Sequence, residues 1–409
     1  MDKSVQYFRK PEGVKDLLPK MAALKGWCEG VLSKVFATWS YQEVVPPTVE
    51  YSSIFTAGMK SDFEEELYCF PDERGRTLVL RPDFTLPLAR IVATHMLEDP
   101  LPLRLFYQGN IFRYISPKKG RQREFNQSGV ELIGGSSPGA DAEVIALAVA
   151  SLKALGINKA KICLGSLNFL NRFLQHKGLS EEEKEAVKKI FSQKDFVSLE
   201  KYVNNLPLEE EARQEILTIP LLKGGKEVLQ EAAKMLPGES PCLEELAELF
   251  NLLECMGVAE KVMIDLALVR GLDYYTGIIF EGYTNSLGTP ICGGGRYDQL
   301  LGFFGRDLPA VGFGINIDNI LLLLSRKSSD PFNNSRTLIA FSPQDIVQAY
   351  NLASQLRKEG QAVEVAHNSM TIEEAKKYAC PRGIDKLIYF KNKELIKFDL
   401  KGGSIKCQF

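Results

Sequence analysis

Apolar side chains recur at helical spacing near the beginning of the chain. Steps of three and four residues put most of them on one face, which predicts an amphipathic helix with a buried stripe. The β-branched run YQEVVPPTVEY that follows predicts a strand, and Pro46 and Pro47 remove two backbone donors from it. That strand is therefore expected at an edge or an interface of a sheet. The apolar positions of the helix are Leu17, Leu18, Met21, Leu24, Cys28, Val31, Leu32, Val35, Phe36 and Trp39.

Strand and helix patterns alternate over the next hundred residues. TLVLRPDFTLPLARIVATHM predicts a strand, a turn at Pro82 and a helix. LRLFYQGNIFRY and FNQSGVELIG predict two strands, which the polar segment ISPKKGRQRE joins as a hairpin loop. DAEVIALAVASLKALG predicts an amphipathic helix with an acidic first turn.

The rest of the pattern predicts an α+β protein of two domains. Residues 176–258 are charged and helical, which indicates a helical insertion, and residues 261–320 return to strands and glycine loops. We expect residues 1–324 to form an antiparallel sheet core with flanking helices and this insertion. Residues 325–335 are polar and rich in turn formers, which predicts a linker. Residues 336–409 alternate strands and helices, which predicts a small α/β domain.

Composition and charge narrow the class of protein. The chain has 409 residues and a formal net charge of −2, which argues against a surface that coats nucleic acid. Its eight cysteines form no Cys-x-x-Cys pair, so neither a structural zinc site nor any other metal centre is expected. Scattered cysteines and the absence of a signal or membrane-spanning segment favour a cytoplasmic protein.

Five basic side chains precede a glutamate between residues 109 and 134. Arg113 stands between two aromatic residues, and a guanidinium is costly to bury there without an anionic partner. Its partner is either Glu131, in an internal salt bridge, or a bound carboxylate or phosphate held by two hydrogen bonds. The other four are expected on a solvated hairpin tip, with Gln127 between them and Glu131: Lys118, Lys119, Arg121 and Arg123.

Three further segments carry candidate side chains. Asp83 and Thr85 follow a strand, where they could bind an ammonium group, although the local pattern favours a helix cap. Tyr274 and Tyr275 are expected to open a strand and to face opposite sides of it. CGGGRYD places three glycines in a strand, which indicates the close approach of a ligand or another backbone. The three histidines are far apart, and no catalytic relay is expected from them.

Together these stretches resemble the catalytic core of the histidyl-tRNA synthetases, a family of class II aminoacyl-tRNA synthetases, from about residue 8 to residue 324. The long helix followed by EVVPPTVE resembles the first class II motif, with Pro47 at the dimer-interface position. FRYISPKKGRQREFNQSGVE resembles the second motif, and LPAVGFGINIDNI the third. RGLDYYTGIIFEGY and CGGGRYD resemble two stretches peculiar to the histidine family.

The resemblance implies a pocket for histidine. Asp83 and Thr85 would hold the α-amino group, and Gln127 and Arg113 would lie near the carboxylate. Arg270 matches the arginine that supports carboxylate activation. The imidazole would be surrounded by Glu131, Tyr274, Tyr275 and Tyr297.

Three positions depart from the pattern of an active synthetase. Asn319 stands where an arginine grips the γ-phosphate of ATP, and Ile115 stands where a glutamate reads the adenine amine. Asn126 replaces a histidine before the second-motif glutamine. Phosphoryl chemistry depends on such electrostatic clamps. The site is therefore expected to bind histidine without activating it.

RGLDYYTGIIFEGY is closer to a second family, the regulatory subunits of ATP phosphoribosyltransferase. This resemblance implies a homodimeric core that needs no cofactor and has no aminoacylation activity of its own. It implies assembly with the short-form catalytic subunit of histidine biosynthesis, with histidine as feedback effector and at most weak tRNA binding. The alternatives are a divergent histidyl-tRNA synthetase or a free-standing amino-acid sensor, and ATP–pyrophosphate exchange separates the synthetase from the others.

Overall fold

The computed structural model describes residues 9–56, 61–115, 122–136, 138–236, 238, 240–270, 274–326, 335–400 and 406–408. The chain divides into two compact units, Met1–Lys327 and Ser328–Phe409. The expected hairpin tip at Lys118, Lys119 and Arg121 and most of the expected linker at 325–335 lie outside the described residues. Among those described, no helix is both long and apolar enough to cross a membrane.

The first unit contains two sheets. Their strands are β1 (Gln42–Glu43), β2 (Val49–Tyr51), β3 (Tyr68–Pro71), β4 (Thr77–Leu80), β5 (Leu103–Phe112), β6 (Glu124–Ile133), β7 (Lys161–Ser166), β8 (Lys223–Gly224), β9 (Val262–Asp265), β10 (Ile278–Thr284), β11 (Leu287–Arg296) and β12 (Ala310–Asn316). The large sheet has the order β1-β5-β6-β12-β11-β10-β7-β9-β8, and the small one β2-β4-β3. Neighbours in the large sheet run antiparallel except at β1–β5 and β7–β9. The expectation of an α+β fold on an antiparallel sheet is confirmed.

The helices of the first unit surround these sheets. They are α1 (Pro19–Thr38), α2 (Ser53–Thr56), α3 (Thr85–His95), α4 (Pro138–Ala154), α5 (Leu167–His176), α6 (Glu181–Gln193), α7 (Phe196–Asn204), α8 (Glu210–Thr218), α9 (Glu227–Met235), α10 (Pro241–Cys255) and α11 (Ile317–Ser325). Helix α1 buries Leu24, Cys28, Leu32 and Phe36, as its apolar spacing predicts. The Phe36 ring lies 5.4 Å from that of Phe106 on β5. Helix α1 thereby packs against one face of the large sheet at β5.

Helix α3 brings the expected ligand-binding segment to the opposite face. Its buried side chains, among them Leu86, Leu88 and Val92, belong to one apolar cluster with Leu105 and Tyr107 of β5. The residues that precede and begin this helix are therefore held against the open face of the sheet.

Residues 176–258 contain α6 to α10, as their composition predicts, and one short strand that it does not predict. The two-residue β8 pairs antiparallel with β9 at the edge of the large sheet. Two residues are too few to give an alternating pattern, so only the open edge of β9 explains this strand.

The second unit is an α/β layer. Its strands are β13 (Arg336–Phe341), β14 (Ala362–Val365), β15 (Lys386–Lys391), β16 (Glu394–Asp399) and β17 (Lys406–Gln408), in the order β14-β13-β15-β16-β17. Strand β13 runs parallel to both β14 and β15. Two helices, α12 (Ile346–Lys358) and α13 (Ile372–Ala379), are connected to this sheet.

Candidate functional site

One face of β11 and β12 carries glycines where side chains would otherwise stand. Gly312 lies opposite Glu131 of β6, and a methyl group added to it would overlap the glutamate carboxylate. A side chain at Gly314 would overlap the amide of Gln127 in the same way. The missing side chains therefore let two polar side chains of β6 lie flat across the neighbouring strand.

The glycines of β11 make the same kind of space for the loop before β10. A methyl group at Gly293 would overlap the guanidinium of Arg270, and one at Gly295 would lie 2.8 Å from the ring of Tyr275. The close approach to the CGGGRYD stretch that the sequence predicts is therefore made by side chains of the protein itself. The glycine face supports the four polar and aromatic groups that cover it.

Glu131 is buried at the centre of this face. Its Oε1 accepts a hydrogen bond of 2.9 Å from the Thr85 hydroxyl, and its Oε2 accepts one from the Tyr297 hydroxyl. Burial raises the pKa of Glu131 to about 8, although both hydroxyls oppose the shift. In the ligand-free protein the group is therefore mostly a neutral acid at pH 7.

Asp83 supplies a second buried carboxyl group beside Glu131. Its Oδ1 accepts the Leu86 N–H at 3.3 Å, which is the helix-capping role that the sequence favoured. Its Oδ2 is buried and has no hydrogen-bond partner in the described part of the chain. Burial raises the pKa of Asp83 to about 6, and the nearby Arg113 opposes the shift. At pH 7 Asp83 is mostly ionised and can receive a cationic donor.

The tyrosines correct one expectation. Strand β10 begins at Ile278, so Tyr274 and Tyr275 lie in the loop before it and do not alternate across a sheet. Their ring centroids are 4.8 Å apart, and that of Tyr297 lies 5.8 Å from Tyr274. The expectation of opposite faces is wrong. Gly295 has no side chain, so the Tyr275 ring can pack over β11 next to the ring of Tyr274.

Arg113 follows the last residue of β5. Its Nε donates to the Pro82 carbonyl at 3.0 Å, and its charge lowers the pKa of Asp83. Glu131 is held instead by the two hydroxyls of Thr85 and Tyr297. Among the described contacts Arg113 therefore faces the charge of Asp83 and forms no salt bridge with Glu131, and its role as an anion-binding group stays a prediction.

A cavity of about 690 Å³ is lined by Arg113 and Arg270, whereas Asp83 and Glu131 are not part of its lining. It joins three of the expected amino-acid contacts to two of the three positions that depart from the synthetase pattern: Arg113, Gln127, Arg270, Ile115 and Asn319. The Asn319 side chain donates to the Pro290 carbonyl at 2.9 Å, which ties it to the cavity wall. Ile115 therefore brings an apolar side chain to this cavity, and Asn319 brings an amide that is already hydrogen-bonded to the protein.

Two residues of this cavity were missed by sequence reasoning. Lys15 forms an ion pair with Asp318, and the other carboxylate oxygen of Asp318 accepts the Asn126 N–H at 2.7 Å. About three hundred residues separate the pair in sequence, so no local pattern connects them. The glycines at every second position of VGFGIN were a readable signal for the bare strand face, because alternate residues share a face.

The site therefore has two chemically different halves. The buried half offers one ionised carboxylate, one neutral acid and hydroxyl groups, which suits a ligand with an ammonium group and a neutral polar ring. The open half has two guanidinium groups at its border and an internal ion pair. The arrangement provides recognition groups for a small zwitterion.

Comparison with known proteins identifies relatives over most of the chain. The family described as Histidyl-tRNA synthetase matches residues 13–320. A protein of Moorella thermoacetica named ATP phosphoribosyltransferase regulatory subunit is 41% identical over 378 residues, which cover 92% of this chain and 96% of that protein.

Solved structures agree with these sequence relatives. The chain resembles a crystal structure from Bacillus halodurans, described as an ATP phosphoribosyltransferase regulatory subunit/histidyl-tRNA synthetase. The TM-score is 0.83 at 33% identity, and the match covers 94% of this chain and 99% of that one. A histidyl-tRNA synthetase from Nostoc gives a TM-score of 0.85 at 22% identity, with coverage of 98% and 96%, and shows the shared fold alone.

The glycine face predicts that replacing glycine by alanine destabilises the protein at one position and not at another. We expect Gly312→Ala to lower the free energy of unfolding by about 1–3 kcal/mol, because the added methyl group must displace the buried Glu131 carboxyl group. Gly288→Ala on β11 is the matched control, since no atom lies within 4 Å of its added methyl group. Urea unfolding measures both variants, and equal stabilities would contradict the account of the glycine face.

The raised pKa of Glu131 predicts how stability changes with pH. The folded chain holds this proton up to about pH 8, whereas an ordinary glutamate loses it near 4.5. The stabilisation that this bound proton gives to the folded state is therefore complete at low pH and is lost as the pH rises through about 8. From about pH 5 to about pH 9 the free energy of unfolding should fall less in Glu131→Gln than in the wild type, by on the order of a few kcal/mol.

Urea unfolding at a series of pH values measures this difference. Glu73→Gln, on an exposed turn, is the control and should follow the wild-type profile. Parallel profiles for the wild type and Glu131→Gln would mean that the buried carboxyl group is already ionised at low pH in the folded protein.

Proposed function

The chain belongs to the family of ATP phosphoribosyltransferase regulatory subunits, and on that premise we propose that it is the non-catalytic regulatory subunit of this enzyme. It assembles with the short-form catalytic subunit, which requires it for the first step of histidine biosynthesis, and it carries feedback inhibition by histidine. Phosphoribosyl transfer takes place on the partner. The observation that carries the proposal is the contrast between the polar groups gathered around Glu131 and the uncharged Ile115 and Asn319 in the neighbouring cavity.

The chemistry of the buried half supports histidine as the effector. At pH 7 the ligand carries one ammonium group, and its imidazole is mostly neutral. Ionised Asp83 and the neutral acid Glu131 match those two groups in charge, because the unpartnered Asp83 oxygen accepts from the ammonium group and the Glu131 proton is available to a ring nitrogen. Arg113, Gln127 and Arg270 face the carboxylate, and the three tyrosines close around the ring.

The open half supports the absence of aminoacylation activity. Ile115 offers no acceptor to an adenine amine, and Asn319 has no charge for a γ-phosphate. Lys15 is already paired with Asp318 in the same cavity. Without these electrostatic contacts the barrier to adenylate formation rises. The second candidate, a divergent histidyl-tRNA synthetase, would have to compensate for all three features.

An apolar face of the first unit supports a homodimeric core. Val45, beside Pro46 and Pro47, is 78% exposed. Val49, Tyr51 and Phe70 are also exposed and lie on one face of the small sheet. Exposed apolar residues grouped in this way are characteristic of a protein interface. We propose that two copies pair through this face, and that the small α/β domain acts as an anticodon-domain relative with at most weak tRNA binding.

The proposed function predicts that feedback and activation can be separated. Asp83→Asn removes the charge that receives the ammonium group, and hydrogen bonds to charged groups contribute about 1.5–3 kcal/mol. We therefore expect histidine affinity to fall roughly tenfold to a hundredfold. Stimulation of the catalytic subunit should remain, and histidine should no longer inhibit the mixture at its wild-type concentration.

Two measurements test this prediction. Calorimetry compares histidine with imidazolepropionate, which lacks the amino group and should bind both forms of the chain alike. An ATP phosphoribosyltransferase assay on the mixed subunits then follows the histidine response. Full inhibition of the Asp83→Asn mixture would place the effector site elsewhere, and histidine-dependent ATP–pyrophosphate exchange by the wild type would favour the synthetase.

A further inference from the structure

Arg270 has contacts that lead away from the pocket and across β10. Its guanidinium donates to the Phe280 carbonyl at 3.1 Å and lies 3.8 Å from the nearer carboxylate oxygen of Glu281. The other oxygen of Glu281 accepts a hydrogen bond from the hydroxyl of Tyr283. Glu281 and Tyr283 are two residues apart on one strand and so lie on the same face of the sheet.

This chain of contacts continues into the helical insertion. Lys194 caps the C-terminus of α6 in the left-handed conformation, with φ 56°. Its ammonium group donates to the Tyr283 hydroxyl at 2.8 Å and lies 4.6 Å from the centre of that ring. The ammonium group donates to the phenol and the phenol donates to the carboxylate, so each hydrogen bond strengthens the next.

We propose that Glu281, Tyr283 and Lys194 are positioning residues for Arg270, through which the helical insertion sets how firmly the pocket holds the carboxylate of its amino acid. The proposal rests on the proposed function, in which that amino acid is histidine. We refer to these three residues as the relay.

Arg270 needs residues that hold its side chain in one orientation, because the strand beneath it has no side chain at that point. Its long side chain reaches over bare Gly293, where no neighbouring side chain restricts it from below. A guanidinium recognises a carboxylate well only in a fixed orientation, and ordering a free arginine costs side-chain entropy. Glu281, which the register places opposite Gly293, supplies the charge that fixes this orientation before the ligand arrives.

The relay also works in the reverse direction. A ligand carboxylate competes with Glu281 for the guanidinium, and any shift of Glu281 changes the contacts of Tyr283 and Lys194. Thermodynamic linkage makes the two effects equal in size. Occupancy of the pocket is thereby reported to α6, some ninety residues away from Tyr283 in sequence.

The test uses two ligands that differ in the carboxylate. L-Histidine carries it, whereas L-histidinol has an alcohol in its place and keeps the amino group and the imidazole. The variants are Tyr283→Phe, which removes one hydroxyl, and Lys194→Met, which removes one charge. Tyr350→Phe in the second unit and Lys201→Met on α7 are the matched controls, because both side chains are exposed outside the relay.

Calorimetry on the full chain should show histidine affinity about fivefold lower in Tyr283→Phe and about twofold to fivefold lower in Lys194→Met. Histidinol affinity should be unchanged in both, and the controls should match the wild type with both ligands. The double variant should bind histidine no more weakly than Tyr283→Phe alone, because the two groups act in series.

Other outcomes separate the failure of the relay from that of the proposed function. If the wild type binds histidine and the variants weaken histidine and histidinol equally, the residues support the fold and the relay is overturned. Unchanged histidine affinity in both variants overturns it as well. If the wild type does not bind histidine at all, the proposed function fails and the relay fails with it. Urea midpoints of all variants identify any loss through unfolding.

Discussion

The site depends on the close packing of a β6 side chain over β12, which is possible only because β12 has a glycine at that position. Gly312 leaves room for one carboxyl group, and that group is Glu131. Because burial would make an ionised carboxylate costly, Glu131 keeps its proton near neutral pH and is held by the hydroxyls of Thr85 and Tyr297. Thr85 in turn ties helix α3 to this carboxyl group, and Tyr297 ties the end of β11 to it.

Two carboxyl groups in one pocket behave differently because their surroundings differ. Asp83 lies near Arg113 and caps α3, so it is mostly ionised at neutral pH, whereas Glu131 is mostly neutral. In the proposed function, this division would let the site distinguish an ammonium group from a neutral ring without a buried excess of negative charge. The open cavity beside it offers Ile115 and Asn319 in place of charged nucleotide contacts. In the proposed function, recognition of an amino acid and its activation are separable because they would use different walls of one site.

Much of the fold was readable from periodic patterns. The amphipathic α1, the two long strands β5 and β6, and the strand–turn–helix around Pro82 follow directly from alternating or helical spacing. The glycine runs indicated a close approach, and resemblance to the synthetases gave the candidate pocket residues. Which groups make that approach depends on strand register, which local spacing does not determine.

Other features depend on contacts between distant segments. The ion pair of Lys15 and Asp318 and the contact of Lys194 with Tyr283 join segments that no local pattern connects. Tyr274 and Tyr275 were expected to open a strand, but they lie in the loop before β10, where the glycine face of β11 leaves room for Tyr275. The two-residue β8 is set only by the free edge of β9.

The central claim is that the chain binds histidine and has lost the nucleotide half of a synthetase site. Its most direct test is calorimetric comparison of L-histidine with a non-hydrolysable analogue of histidyl-adenylate. A working synthetase binds such an intermediate analogue far more tightly than the free amino acid, commonly by a factor of about a hundred or more. Our account predicts that histidine binds and that the analogue binds within about tenfold of it, because Ile115 and Asn319 offer no charge to the nucleotide part of the analogue. A gain of a hundredfold or more for the analogue would contradict it.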